Sequence, residues 1–334
     1  MSSNFEDTVC IDSYTHLERA IGKNANCKWA GKGWPLYRAD EPLEVTVKRV
    51  MPNADWVIYY AFEVMLKNLN IRNQPKQKRS YKVAAYIGDI HRVIGQQVNY
   101  INRSNWDVLL MLYTKLNKWV NPKKRGPDSV NPDYYRKNVK IPIFHMAPSI
   151  NPEIFKPTDE PKNVDVAFLG AVGYPWYPLR FEIWKHLPRI AENENWKVII
   201  RQSPPGRSLE RKISSLRGRH FVGSKYADIL AHSKIFIFGT SIFKYPLLKF
   251  PEGMASRTCV MSDTPLTAKE LHLVPNWNFV EIAGKNWEKK LRYYLRHQDE
   301  REEIAQRGYD TFLKYHTTDI RAKQIIDFLW KHMK

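Results

Sequence analysis

Short apolar runs recur along this chain in two sets, one on each side of a proline-rich stretch, and they restrict the possible folds more than any other feature. The first set is DWVIYYAF (55–62), KVAAYIGD (82–89), WDVLLMLYT (106–114) and KIPIFHMA (140–147), separated by polar segments compatible with helices or loops. The second is VDVAFLG (164–170), WKVIIRQS (196–203), KIFIFGTS (234–241), TCVMSD (258–263) and NFVEI (278–282), with helical segments between them. Strands that are apolar almost throughout are buried on both faces, and strands alternating with helices build parallel sheets covered by helices. The stretch PSINPEIFKPTDEPKN (148–163) interrupts the alternation and reads as a connection between domains. From Trp287 onward the period is helical. Leu291, Tyr294 and Leu295 share one face of a first helix, and Ile325, Phe328 and Leu329 one face of the last. The expectation is an α/β protein of two parallel-sheet domains, 1–150 and 151–334, facing a central cleft, with the terminal helices packing back on the first domain. DTVCIDS (7–13) reads as a weak opening strand, and no glycine-rich loop follows it.

Composition narrows the class. A chain of 334 residues is long enough for two cores, and 43% hydrophobic with 13% aromatic residues excludes a disordered polymer. Glu6, Asp7, Asp12 and Glu18 occupy the first twenty residues without an apolar signal region. No apolar run approaches the roughly 20 residues of a membrane span. Cys10, Cys27 and Cys259 are odd in number and far apart, which suits neither a disulfide framework nor a metal spacing. A reducing cytoplasm, of a cell or of an infected host, is the expected location.

The formal charge is +19, and it is clustered. Residues 67–82 contain six basic residues and no acid, residues 115–140 eight against two acids, and residues 197–219 seven against one. Such runs are either solvated surface that keeps the protein soluble or the footprint of a polyanionic partner, nucleic acid or anionic membrane.

Four blocks, in order along the chain, carry a family resemblance: HMAPSINPEIFKP, VDVAFLGAVGYPWYPLR, KFPEGMASRTCVMSDTPLTAKEL and REEIAQRGYDTFLKYHTTDIRAKQIIDFL. They resemble GT-B glycosyltransferases of the group 1 and CgeB-like kind, which are retaining and nucleotide-sugar-dependent. The likeness spans about 140–330 and is weaker upstream, in GKGWPLYRADEPLEV and IGDIHR. It implies two Rossmann-like domains, with the acceptor on the first and the nucleotide sugar, a UDP-sugar in the simplest case, on the second. Transfer to a hydroxyl acceptor, with retention and without a metal, is the implied reaction.

Glu252 is where the resemblance and the local chemistry meet. Pro251 is at home in the first turn of a helix, and the acid beside it is favoured by the helix dipole. In the similar enzymes the acid at this position accepts hydrogen bonds from the donor's ribose hydroxyls, while free N–H groups of the helix mouth face the diphosphate. Gly253 and Ala255 are small enough for a ligand to come close. An ordinary first-turn glutamate is the competing reading.

This chain departs from the family pattern at two places. Lys244 stands where many relatives have a second Glu touching the donor sugar, and Arg257 where a glycine is usual at the helix end. Gly170 and Gly173, in the loop after the strand VDVAFL, are candidates for close backbone approach to phosphate. Arg180, Arg201 and Lys249 are candidate cations for the diphosphate. Negative charge grows on that group as the glycosidic bond breaks, so fixed cations there lower the barrier. Asp89 and His91 follow a strand of the first half, where open α/β sheets bind ligands, and are the candidate catalytic or acceptor-orienting pair.

The sequence contains no Asp-x-Asp and no zinc spacing, consistent with a reaction in which side-chain cations do the work of Mg²⁺. The acceptor is the open part of the reading. Lys123, Lys124 and Arg125, with nearby aromatic residues, favour duplex DNA carrying hydroxylated bases over an anionic membrane surface, because no amphipathic basic helix rich in Leu, Phe or Trp is evident. A peripheral membrane or cell-surface glycan transferase, a nucleotide-sugar epimerase, and a non-catalytic nucleic-acid- or membrane-binding module of the same fold are the alternatives.

Overall fold

The computed structural model describes residues 12–31, 34–38, 41–61, 75–91, 94–115, 133–201 and 223–333. The chain divides into two compact units. One comprises Leu17–Ala147 and Asp319–Lys334, the other Pro148–Thr318 together with the residues just before Leu17.

The first unit is built on four parallel strands in the order β1-β2-β3-β4: Trp56–Tyr60 (β1), Lys82–Ile87 (β2), Val108–Met111 (β3) and Ile143–His145 (β4). Each lies inside one of the first four apolar runs. Val83, Ala84, Ala85, Leu109 and Met111 are fully buried, as strands covered on both faces must be. Helices Asp12–Asn24 (α1), Leu43–Val50 (α2), Ile94–Arg103 (α3) and Tyr134–Asn138 (α4) accompany them.

α1 corrects the reading of 7–13 as a strand at its described end. Asp12 and Ser13 open a helix whose Leu17 and Ala20, three residues apart, supply the buried stripe. The residues before Asp12 lie outside those described.

The second unit has five parallel strands, Val164–Leu169 (β5), Val198–Arg201 (β6), Ser233–Ile237 (β7), Cys259–Ser262 (β8) and Val280–Glu281 (β9), in the order β6-β5-β7-β8-β9. Among the described residues its strand pairings are all parallel. Pro178–Glu194 (α5), Gly223–Ala231 (α6), Lys249–Ala255 (α7), Trp287–Arg296 (α8) and Gln298–Tyr315 (α9) flank this sheet. Val166, Phe168, Ile235, Ile237, Met261 and Val280 form its core with Ile183 and Leu187 of α5 and Leu291 of α8. The last helix, Thr318–Lys331 (α10), falls almost wholly in the first unit, where Phe328 packs 5.1 Å from Phe144 of β4.

The strand order of the second sheet decides where a ligand can sit. From β5 the chain moves outward to β6, then returns past β5 to β7 and continues the other way through β8 and β9. The direction reverses between β5 and β7, and in open parallel sheets the crevice that takes ligands lies at the carboxyl ends of the strands flanking such a reversal.

Candidate active site

Residues from four segments converge at the carboxyl ends of β5 and β7. β5 ends into Gly170, whose φ of +126° lies in the region L side chains avoid and whose N–H donates to Arg201 O at 2.9 Å. A Cβ at this position would lie 3.0 Å from both Cε and Nζ of Lys249 and 3.7 Å from Arg180 Nη1. A side chain here would crowd the end of Lys249, whereas Arg180 would stay at ordinary contact distance. Arg180, from the first turn of α5, is only 4% exposed. Its Nε donates to Gly239 O and its Nη1 to Ala171 O at 3.1 Å, and its guanidinium lies 4.2 Å from the Tyr177 ring centroid. It thereby ties the loop after β5 to the loop after β7 and fixes a positive charge between them.

Lys249 opens α7. Its ammonium lies 5.5 Å from the Tyr226 ring centroid and 5.3 Å from that of Phe236, and donates to the Tyr226 hydroxyl at 3.4 Å. Tyr226, from α6, in turn donates to Glu252 Oε2 at 2.8 Å. Burial pushes the Glu252 carboxyl above the ordinary carboxylate range, and the Lys249 charge and the Tyr226 hydrogen bond oppose that rise. The site is therefore a line of ammonium, phenol and carboxylate, with a second cation, Arg180, near the same face of Gly170 as Lys249.

Of the residues singled out in the sequence, Gly170, Arg180, Lys249 and Glu252 come together here. Tyr226 was missed. Its signal was available: Tyr226, Ile229 and Leu230 mark the packed face of the helix in GSKYADIL, and a tyrosine among aliphatics on such a face needs a partner for its hydroxyl.

Other candidates are placed differently. Gly253 is buried, and a Cβ there would come within 2.6 Å of Val260 Cγ2 and 3.0 Å of Phe236 Cδ1, so its smallness serves the packing of α7 on the sheet. Ala255 is fully buried. Gly173 has open space where a Cβ would point. Arg201 ends β6 with an exposed side chain that donates to the neighbouring Ile200 carbonyl at 2.9 Å.

Lys244 forms an ion pair with Asp263, whose carboxylate also accepts the Thr240 N–H and hydroxyl, each at 2.6 Å. A carboxylate as buried as Asp263 requires a cation, and Lys244 supplies it. Asp89 and His91 follow β2 in the first unit, not in the unit that holds Glu252. Lys123, Lys124 and Arg125 lie outside the described residues.

At the mouth of α7 some of the backbone donors are used within the chain. Phe250 N–H donates to Leu247 O at 3.1 Å, Pro251 has no N–H, and Glu252 N–H donates to Leu248 O at 2.9 Å. The Phe250 and Glu252 N–H groups are thus engaged within the chain, and the Lys249 and Arg180 side chains supply positive charge at the site. Among the described residues, no three His, Cys, Asp or Glu side chains gather to hold a metal ion, and no helix is long and apolar enough to cross a membrane.

Residues 171–327 match the family described as glycosyl transferase-like. Sucrose-phosphate synthase from Thermosynechococcus elongatus aligns over 90% of this chain and 81% of its own, with a TM-score of 0.53 at 12% identity. A glycosyltransferase from Rickettsia africae aligns over 89% and 83%, with 0.52 at 12% identity. A point variant of TarM from S. aureus, solved in complex with fondaparinux, α-GlcNAc-glycerol and UDP, aligns over 81% of this chain and 55% of its own, with 0.53 at 11% identity. No curated protein sequence matches the chain. At these identities the solved structures speak to fold, and the family match to the second unit: the chain has the two-sheet fold of the GT-B glycosyltransferases, and its residues 171–327 are similar to the glycosyl transferase-like family.

Proposed function

We propose that the protein transfers a sugar from a nucleotide sugar, in the simplest case a UDP-sugar, to a hydroxyl acceptor, with retention of configuration and without a metal ion. The observation that carries this reading is the meeting of Glu252, Tyr226, Lys249 and Arg180 around Gly170 at the reversal point of the second sheet. A carboxylate linked through Tyr226 to Lys249, with Arg180 near the same glycine as that lysine, suits a ligand that presents vicinal hydroxyls next to a diphosphate, which is the ribose end of a nucleotide sugar. The UDP bound in the TarM structure supports the choice of nucleotide.

In the reaction so read, the bond from the sugar's anomeric carbon to the β-phosphate oxygen breaks and its electron pair stays on the diphosphate. Lys249 and Arg180 stabilise the charge that collects there. The acceptor oxygen bonds to the anomeric carbon on the face the phosphate leaves, and its proton passes to the departing phosphate oxygen. No protein base is demanded by this path. His91 and Asp89 are the candidates for orienting the acceptor, and the open Gly173 for close backbone approach. The four sequence blocks favour CgeB-like relatives within the wider family.

Thermal unfolding with added UDP tests the site. A ligand at a hundred times its Kd adds about 2.7 kcal/mol to apparent stability. Glu252→Ala removes charge-assisted hydrogen bonds worth on the order of 2–4 kcal/mol of binding, so most of its stabilisation by the same UDP concentration should be lost. A folded Glu252→Ala protein with unchanged UDP affinity would exclude Glu252 from the site. Transfer should also continue in EDTA, and turnover lost to chelation and restored by Mg²⁺ or Mn²⁺ would contradict the metal-free reading.

A further inference from the structure

Glu252 offers its two oxygens unequally. Oε2 accepts the Tyr226 hydroxyl at 2.8 Å, whereas Oε1 has no hydrogen-bond partner among the described residues. A phenol has one proton to give and lone pairs to receive, and Tyr226 uses both: the proton goes to Glu252, and a lone pair takes an N–H of Lys249. Such a chain polarises itself, each bond strengthening the next. The ring that carries the hydroxyl is held edge-to-face by Phe155 at 5.9 Å and by Phe236 at 6.4 Å, and Lys249 lies close to two of these three rings. Tyr226 is therefore fixed in position by packing before any ligand arrives.

We propose that Tyr226 is a positioning residue for the nucleotide: by occupying Oε2 it leaves Oε1 as the acceptor for the ligand's diol, and by receiving Lys249 it holds the ammonium beside Gly170, where the diphosphate would pass. This assignment rests on the reading of Glu252 as the hydroxyl acceptor. Tyr226 links the two halves of ligand recognition, so that the carboxylate and the ammonium are held apart and neither is spent on a direct ion pair with the other.

The link has a pH signature. A diol can donate twice only to an ionised carboxylate, so affinity should fall as pH falls through the Glu252 pKa. Burial raises that pKa, while Lys249 from its own helix and Tyr226 from α6 lower it. Arg180, near Gly170, is a further positive charge at the site. Removing the phenolic proton removes one of the opposing causes, so the carboxylate takes up its proton at higher pH. The loss of affinity then begins at higher pH too.

The test uses UDP-glucose as the probe, because its diphosphate diester does not itself titrate in this range, and measures Kd by calorimetry between about pH 4.5 and 8.5. We expect Tyr226→Phe, which keeps the ring and its packing, to bind roughly three- to tenfold more weakly at neutral pH, the loss of about one hydrogen bond. Its affinity midpoint should lie at higher pH than in the wild type. Glu252→Gln should show no midpoint at all. A Tyr226→Phe protein that loses affinity by the same factor at every pH, or loses none, overturns the positioning role while leaving the nucleotide site standing. A wild-type protein that binds neither UDP nor UDP-glucose overturns the site reading, and the role of Tyr226 falls with it.

Discussion

Arg257 holds the left-handed conformation, φ +50°, one residue beyond the cap of α7. The geometry around it is that of a helix terminated by a glycine: Thr258 N–H reaches Gly253 O and Arg257 N–H reaches Met254 O, both at 3.0 Å. The structure thus keeps the backbone of the usual motif with a residue whose Cβ opposes it, at a cost of roughly 1 kcal/mol for an L side chain in this region. Arg257 also contributes, after burial, to holding the Lys162 ammonium down at about 8. That ammonium donates to Ala231 O at 2.8 Å and Thr258 Oγ1 at 3.2 Å. Arg257→Gly should raise stability by about 0.5–1 kcal/mol, read as a shift of the denaturant midpoint with unchanged slope. It should also move the Lys162 titration upward, visible in the pH dependence of its chemical labelling. An Arg257→Gly protein less stable than the parent would mean that the arginine side chain makes a contribution larger than its strain.

Among helices and strands, packing separates glycines that look alike in the sequence. Gly253→Ala places a methyl 2.6 Å from Val260 and 3.0 Å from Phe236, so α7 must move off the sheet, and a loss of about 1–3 kcal/mol is expected. Gly173→Ala meets open space and should stay within about 0.5 kcal/mol of the parent by the same urea titration. Equal losses at the two positions would contradict this division. The strands were legible for the same reason that Gly253 is not exchangeable: parallel strands covered on both faces must be apolar along their length, and β1 to β9 fall inside the predicted runs, save Ser233 at the start of β7. They are shorter than the runs because residues such as Asp89 and Gly170 belong to the loops that follow. α1 was not legible at its start, since Cys10, Ile11 and the residues around them give no period. In the site, Gly170, Arg180, Lys249 and Glu252 were legible from sequence blocks, whereas Tyr226, 26 residues before Glu252, is joined to it only by the packing of α6 beside α7.

For the molecule as a whole, the open question is what a charge of +19 serves. Some of it is spent internally. In the 67–82 run, Arg79 pairs with Asp107, and Lys82 donates to His332 O at the end of α10. On α8, Arg292 and Arg296 share Glu194, and Arg292 also takes Glu288. These cations hold elements together and need no partner outside the chain. The case for a polyanionic acceptor therefore rests on the other basic residues of the sequence, among which Lys123, Lys124 and Arg125, outside the described residues, are three in a row. Duplex DNA with hydroxylated bases is the acceptor we propose, and the base would be flipped from the stack at a cost of a few kcal/mol. If these three residues bind phosphates, log K for duplex DNA should fall with log salt at about −0.9 per phosphate, and replacing all three with Ala should make that slope shallower by about one for every phosphate no longer held. Filter binding between roughly 50 and 200 mM salt reads both quantities, since six to ten phosphates held would cost a factor of about 10³–10⁵ over that range. Undetectable DNA binding at the lowest salt, together with tight binding to vesicles containing anionic lipid, would transfer the acceptor to a membrane glycan or lipid.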